Sequence, residues 1–250
     1  MVDTIEETEE VVETGRQMEL LDHLTELRSR LIRVIVYIVA GTMVGWFAYD
    51  WVFKILSAPV QGYLKQSGDT FLMTSITEPF VVRMQVSLLV GIALAIPLVT
   101  FEAWKFIAPG LTKKERRGVR FVAPLSVLLF AGGVALGYWI LPVGINWFAS
   151  LKRPDIKLMP QVSGTLLFIA KMCLAFGLTF QLPVILMFLA RVGIVSSRML
   201  ISYWRHAIII LAIVAAVVTP SNDAFSMSMM CIPLIGLYGL SILLVRTMEK

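Results

Sequence analysis

Two cysteines, two histidines and a charged fraction of 16% leave this chain few residues for solution chemistry. His23 and His206 stand far apart, and neither has a cysteine or other ligand beside it at metal-binding spacing. A Gly-rich phosphate loop and a Gly-x-Ser-x-Gly turn are both missing. No nucleophile is set beside a base in a recognisable pattern. The reading is therefore against an enzyme, with no cofactor and no metal. Cys173 and Cys231 lie within apolar runs, where cysteine serves as a small packing residue. They carry no information on redox compartment. Internal repeats and low-complexity tracts are also lacking. The first residues are acidic and polar rather than basic then apolar, so no cleavable signal peptide is expected.

Apolar length is what the chain has. Hydrophobic residues make up 58% of it and the mean hydropathy is +0.81. A helix crosses a bilayer with ~20 apolar residues, and the charge-free intervals leave room for six. Lipid cannot satisfy an open backbone, so each span must be helical. The expected fold is all-α and polytopic, with spans at about 31–50, 82–106, 121–142, 164–190, 204–219 and 225–245. The third is expected to end near Pro142. One membrane domain, 17–250, follows an acidic tail, 1–16, which is expected to be disordered.

Lysine and arginine set the orientation. With a cytoplasmic N-terminus, fifteen of the 22 lie on inside segments, including Arg28, Arg30, Arg33, Lys113, Lys114, Arg116 and Arg117. The other seven are Lys54, Lys65, Arg83, Lys152, Arg153, Lys157 and Lys171. Both termini are thus expected in the cytoplasm. The net charge of +5 follows from topology and needs no nucleic-acid partner.

Leu20, Leu21, Leu24, Leu27 and Leu31 make one stripe, so 17–30 reads as an amphipathic helix on the cytoplasmic surface. The run Ala207–Val218 is 12 residues, about 18 Å of helix, against a ~30 Å hydrocarbon core. Either this fifth helix is short and thins the bilayer, or it begins earlier, near Tyr203, with Trp204 and Arg205 at the interface. Glu26 and Glu115 are isolated acids on the basic face. Each could receive a cationic peptide. Glu26 could equally pair with Arg30 at i,i+4, and Glu115 could neutralise its basic neighbours. Gln181 is the sharpest polar residue within a span. Pro183 beside it should kink the helix. The amide either faces a site in the bundle interior or bonds one helix to another.

Several segments then fall into a known order. They are His23-Leu24-Thr25-Glu26-Leu27-Arg28-Ser29-Arg30, Leu56-Ser57-Ala58-Pro59, and Trp104-Lys105-Phe106-Ile107-Ala108-Pro109-Gly110-Leu111 followed by Glu115-Arg116-Arg117. Phe176 to Pro183 and Thr219-Pro220 with Asp223 complete the set. Together they resemble TatC, the multi-spanning receptor of the twin-arginine protein translocase. The resemblance implies a cupped six-helix bundle in the inner (cytoplasmic) membrane of a prokaryote. It implies binding of paired-arginine signal peptides on folded cargo at Glu26 and Glu115. Phe106, Arg28 and Arg30 are counted with that site. Pro59, Pro109, Gln181, Pro183 and Asp223 match structural or partner-binding positions. The implied partners are TatA and TatB type single-span proteins, with self-association in the receptor complex. The implied energy source is the protonmotive force.

Two positions depart from the family pattern. Gln181 stands where Glu is often found, and an amide cannot titrate. Met227 stands where Gln is common. The alternative reading is a six-helix secondary transporter of a small solute, with Gln181, Pro183 and the short hairpin along its path. Against it, no repeat is present and the carboxylates lie at the rim rather than mid-membrane.

The charge distribution makes a testable statement about topology. A cysteine placed at position 114 or 198 is expected to react from the cytoplasmic side, and one at 66 or 155 from outside. Labelling with a membrane-impermeant maleimide checks this, and outside labelling at 114 would reverse the orientation.

Overall fold

Apolar runs of this length close their backbone hydrogen bonds within the segment, and they do so here as helices. The computed structural model describes the backbone of residues 3–67, 70–107, 113–153, 159–219 and 223–249. Side chains are described for 25–65, 70–105, 124–153, 159–219 and 223–249. In chain order the helices are α1 (Asp3–Phe47), α2 (Tyr49–Ser67), α3 (Glu78–Ile107) and α4 (Lys113–Ser150). Then come α5 (Val162–Thr179), α6 (Leu182–Arg191), α7 (Ser197–Ser202), α8 (Trp204–Val218) and α9 (Ala224–Met248).

Five segments are long and apolar enough to cross a membrane: Thr25–Phe47, Glu78–Lys105, Pro124–Ser150, Val162–Arg191 and Ala224–Met248. The fifth expected span, α8, has 15 residues and rises about 22 Å. It starts at Trp204, as the longer of the two readings requires.

Three boundaries differ from the sequence reading. The backbone from Asp3 runs into α1 without a break, where a disordered tail and a separate amphipathic helix are expected. Glutamates are good helix formers, and acids near a helix N-terminus complement its dipole. The third span does not end at Pro142: α4 continues to Ser150 with Pro124 and Pro142 inside it. A helix end within hydrocarbon would expose more polar groups than one missing proline donor does. Residues 51–67, read as part of an outer loop, lie in α2, Tyr49–Ser67, with Pro59 inside it.

The fourth span bends where Pro183 predicts. Gln181 N–H turns back to Leu178 O at 3.0 Å, and Pro183 opens α6. Phe180 and Gln181 stay in the right-handed region, so the break is a tight turn rather than an unwound loop.

Small residues bring the helices together. On α1, Gly41 and Gly45 lie against Gly91 and Ser87 of α3. On α4, Gly133 and Gly137 lie against Phe176 of α5, while Phe130 lies over Gly177. Such close approach gives packing where lipid supplies no hydrophobic drive. Leu166, Ile169 and Phe176 of α5 and Met230 and Leu234 of α9 belong to one buried apolar core. Tyr138 O–H donates to Ile55 O at 2.9 Å, and Tyr238 O–H donates to Leu200 O at 2.8 Å. Those bonds tie α4 to α2 and α9 to α7.

Each end of the bundle has its own latch. At one end Leu72 and Gln161 form an isolated parallel bridge. Glu78 there accepts hydrogen bonds from Thr74 N–H at 2.6 Å and Ser163 N–H at 3.0 Å. Trp147 and Phe225 stack with centroids 4.1 Å apart at the same end. Asp223 caps α9, accepting from Ser226 N–H at 2.7 Å. At the other end Glu249 accepts from the backbone and hydroxyl of Ser197. Those bonds hold the Glu249 carboxyl below the usual carboxylate range.

The α1–α3 contact yields a direct test. A methyl at Gly91 would lie 2.6 Å from Thr42 N and 2.8 Å from Ile38 O, both backbone atoms. Gly132 has nothing within 4 Å. Gly91→Val is expected to destabilise by ~1–3 kcal/mol, and Gly132→Val by much less. Thermal unfolding in detergent compares the two.

Candidate functional site

The Glu26 end gathers the middle of α1, the last turns of α3, α6 and α9 and the first turn of α4. Trp104, near the end of α3, meets Phe188, near the end of α6, with ring centroids 5.0 Å apart. Glu115 lies in the first turn of α4, which follows α3 at this end. The side chains of Glu115 and Phe106, and all of Pro109, fall outside the described residues.

Four charged side chains of α1 and α3 form one connected array. Glu26 and Arg30 are a turn apart on α1. Arg30 donates to Glu26 Oε1 through Nε at 3.1 Å and also through Nη2. The local i,i+4 pair open in the sequence is therefore made. Arg30 Nη1 points the other way, to Glu102 on α3. It donates to the Glu102 carboxylate at 3.0 Å and to its backbone carbonyl at 3.1 Å. Arg33 Nη1 reaches the same carboxylate at 3.1 and 3.3 Å, and Tyr37 O–H at 3.3 Å.

Exposure grades along this array. The Glu102 side chain is 5% exposed and that of Arg30 13%, while Glu26 is 36% and Arg33 44%. A buried carboxylate requires paired charge and hydrogen bonds, and Glu102 has both. Glu26, at the open end, can be reached by a ligand. Arg28 is exposed beside it.

Glu102 is the residue that the sequence reading missed. It lies inside the expected second span and is given no role there. Its signal was present: an acid ending one apolar run, with arginines at i and i+3 beginning another. Joining them needs the register of α1 on α3, which the glycine contacts supply.

Gln181 is buried between helices. Its Nε2 donates to Ser126 O at 3.1 Å, and Ser126 O–H donates to its Oε1 at 2.6 Å. Both ends of the amide are engaged with α4. The residue also lines an apolar groove of about 350 Å³ with Ile38, Val99, Trp104, Leu178 and Phe188. Pro183 is buried beside it, and Pro59 is half-buried in α2. Asp223 is placed as a helix cap. His206 is exposed with its ring 5.8 Å from Tyr203, Cys173 is buried and Cys231 is half-buried.

The helical architecture is shared with known proteins. The family model described as Sec-independent protein translocase protein (TatC) matches residues 22–233. The chain belongs to the TatC family. A TatC protein of Desulforapulum autotrophicum is 38% identical over 92% of this chain and 84% of its own length. TatCy of Bacillus subtilis is 34% identical, over 91% and 89%. A crystal structure titled twin arginine translocase receptor TatC, in DDM, superposes with a TM-score of 0.78 at 30% identity. That match covers 89% of this chain and 99% of the other. Membership of the TatC family makes this a multi-pass membrane protein and a subunit of a protein translocase, a transport component rather than a catalyst. It also favours protein over small-solute transport.

The Gln181 geometry predicts a stability effect. Gln181→Leu leaves the Ser126 hydroxyl without its buried partner, at an expected cost of ~1–3 kcal/mol. Adding Ser126→Ala is expected to recover part of that loss, since removing both partners is milder than removing one. Thermal midpoints of the single and double variants check it.

Proposed function

We propose that this chain is the receptor subunit of the twin-arginine translocase and binds the paired arginines of signal peptides on folded cargo. Glu26 and Glu115 receive the arginine pair, and Phe106, Arg28 and Arg30 border the site. One observation carries the reading: Glu26 is an accessible carboxylate already engaged by a guanidinium, that of Arg30. What Arg30 does from within the chain, an arginine of a peptide can do from outside.

Arginine suits this role. It is always charged, and its planar fork matches a carboxylate in two bonds, which lysine cannot reproduce. Two carboxylates on separate helices can read two neighbouring arginines without any cofactor. The apolar part of the signal then lies along the bundle.

In this reading the protein sits in the cytoplasmic membrane with six spans and both termini inside. The Glu26 end faces the cytoplasm, in keeping with the lysine and arginine bias. TatA and TatB type single-span proteins are its partners, further copies of the chain complete the receptor complex, and the protonmotive force drives export. Pro59, Pro109, Gln181, Pro183 and Asp223 act in structure or partner contact.

The test is crosslinking of a paired-arginine signal peptide to the protein in membranes, with a paired-lysine peptide as control. The Glu26→Ala, Glu115→Ala double variant is expected to insert normally and to lose about tenfold or more of its peptide affinity. Undiminished crosslinking in that variant would rule out this site.

A further inference from the structure

Glu26 is the accessible carboxylate of the array, yet Arg30 already holds its Oε1 through two nitrogens. A peptide cation that takes Oε1 must therefore displace Arg30 from it. Arg30 is nearly buried, and a buried guanidinium stripped of its counter-charge is strongly unfavourable. If Glu26 were its one anionic partner, Arg30 would hold that carboxylate against any ligand. Glu102 changes the balance. It keeps Arg30 Nη1 at 3.0 Å through its carboxylate and at 3.1 Å through its carbonyl. Those bonds use a different nitrogen from the two that engage Glu26. Arg30 can thus let go of Glu26 and remain paired.

We propose that Glu102 is a positioning residue of the receptor site: it holds Arg30 on α3 so that Glu26 can be released to an incoming arginine. Arg30 is then an internal competitor, and Glu102 sets how strongly it competes. The inference rests on the signal-peptide reading of Glu26 given above.

The consequences are specific. An internal competitor lowers the affinity of every ligand for Glu26 by one common factor. The ratio of paired-arginine to paired-lysine binding is therefore unchanged by Arg30, while both absolute affinities move. Removing Glu102's charge tightens Arg30 on Glu26 and weakens both peptides. Removing Arg30 frees Glu26 and strengthens both. Once Arg30 is gone, Glu102 keeps Arg33 and Tyr37 but loses its link to Glu26, and its substitution has no further effect through that link. Simple long-range charge would behave differently, since its contributions add whether or not Arg30 is present.

The experiment measures dissociation constants of a paired-arginine and a paired-lysine signal peptide, by fluorescence anisotropy, on the full-length protein in detergent. Glu102→Gln is expected to weaken both about tenfold, the loss of one charge-assisted bond. Arg30→Gln is expected to strengthen both by a common factor. In the Arg30→Gln background, Glu102→Gln is expected to change either by less than about twofold. Glu102→Asp serves where Glu102→Gln does not fold. It keeps the charge but draws it back by one methylene, so it is expected to weaken binding about threefold, and only when Arg30 is present. Equal weakening by Glu102 variants in both backgrounds would overturn the proposal, as would unchanged affinity in Glu102→Gln. A wild-type protein that binds both peptides equally would remove the signal-peptide reading itself and this inference with it. Wild-type discrimination with additive variants would remove the inference alone.

Discussion

Hydrocarbon offers no hydrogen bonds, and nearly every polar contact in this bundle answers that constraint. The backbone is helical wherever it can cross. Thr42, Thr100, Thr219 and Ser241 return their hydroxyls to carbonyls one turn back on their own helices. Tyr138 and Tyr238 spend theirs on carbonyls of neighbouring elements. Gln181 meets Ser126 with both ends of its amide. Most charged groups, with Lys171 inside α5 an exception, collect towards the bundle ends. There Glu102 is buried only because two arginines and a tyrosine converge on it.

Packing follows from the same constraint. With lipid as apolar as any side chain, helices gain little by hiding leucine from it. They gain by close fit, so glycine and serine mark the contacts. Gly41, Gly45, Ser87 and Gly91 bring α1 and α3 to backbone distance. That distance in turn lets Arg30 and Arg33 reach across to Glu102. The charged array is therefore a product of the glycine contact several turns away.

Much of this was legible in the sequence. Apolar run length identified the long helices, and Pro183 marked the break between α5 and α6. The ordered motifs identified the family. Other features were hidden for physical reasons. Pro142 is an ordinary helix breaker in water, but membrane helices pass through proline because stopping costs more. The α2 segment mixes polar and apolar residues and carries Pro59, so neither span length nor loop chemistry singled it out. Glu102 drew no role because one chain position cannot reveal which distant arginines face it. Gln181 carried two readings until Ser126, 55 residues earlier, was placed beside it.

Both ends hold a carboxylate on backbone donors, and they differ in what is added to it. The Glu78 end adds a strand-like bridge, a short-range bond between fixed dipoles. The Glu26 end adds ions, part of which face water. Mobile salt screens exposed charges over about 8–10 Å at ordinary ionic strength and leaves such backbone bonds nearly untouched. Salt therefore acts at the Glu26 end on the half-exposed ions, Glu26 and Arg33, and leaves the buried Arg30–Glu102 pair and the backbone bonds of the opposite end largely as they are.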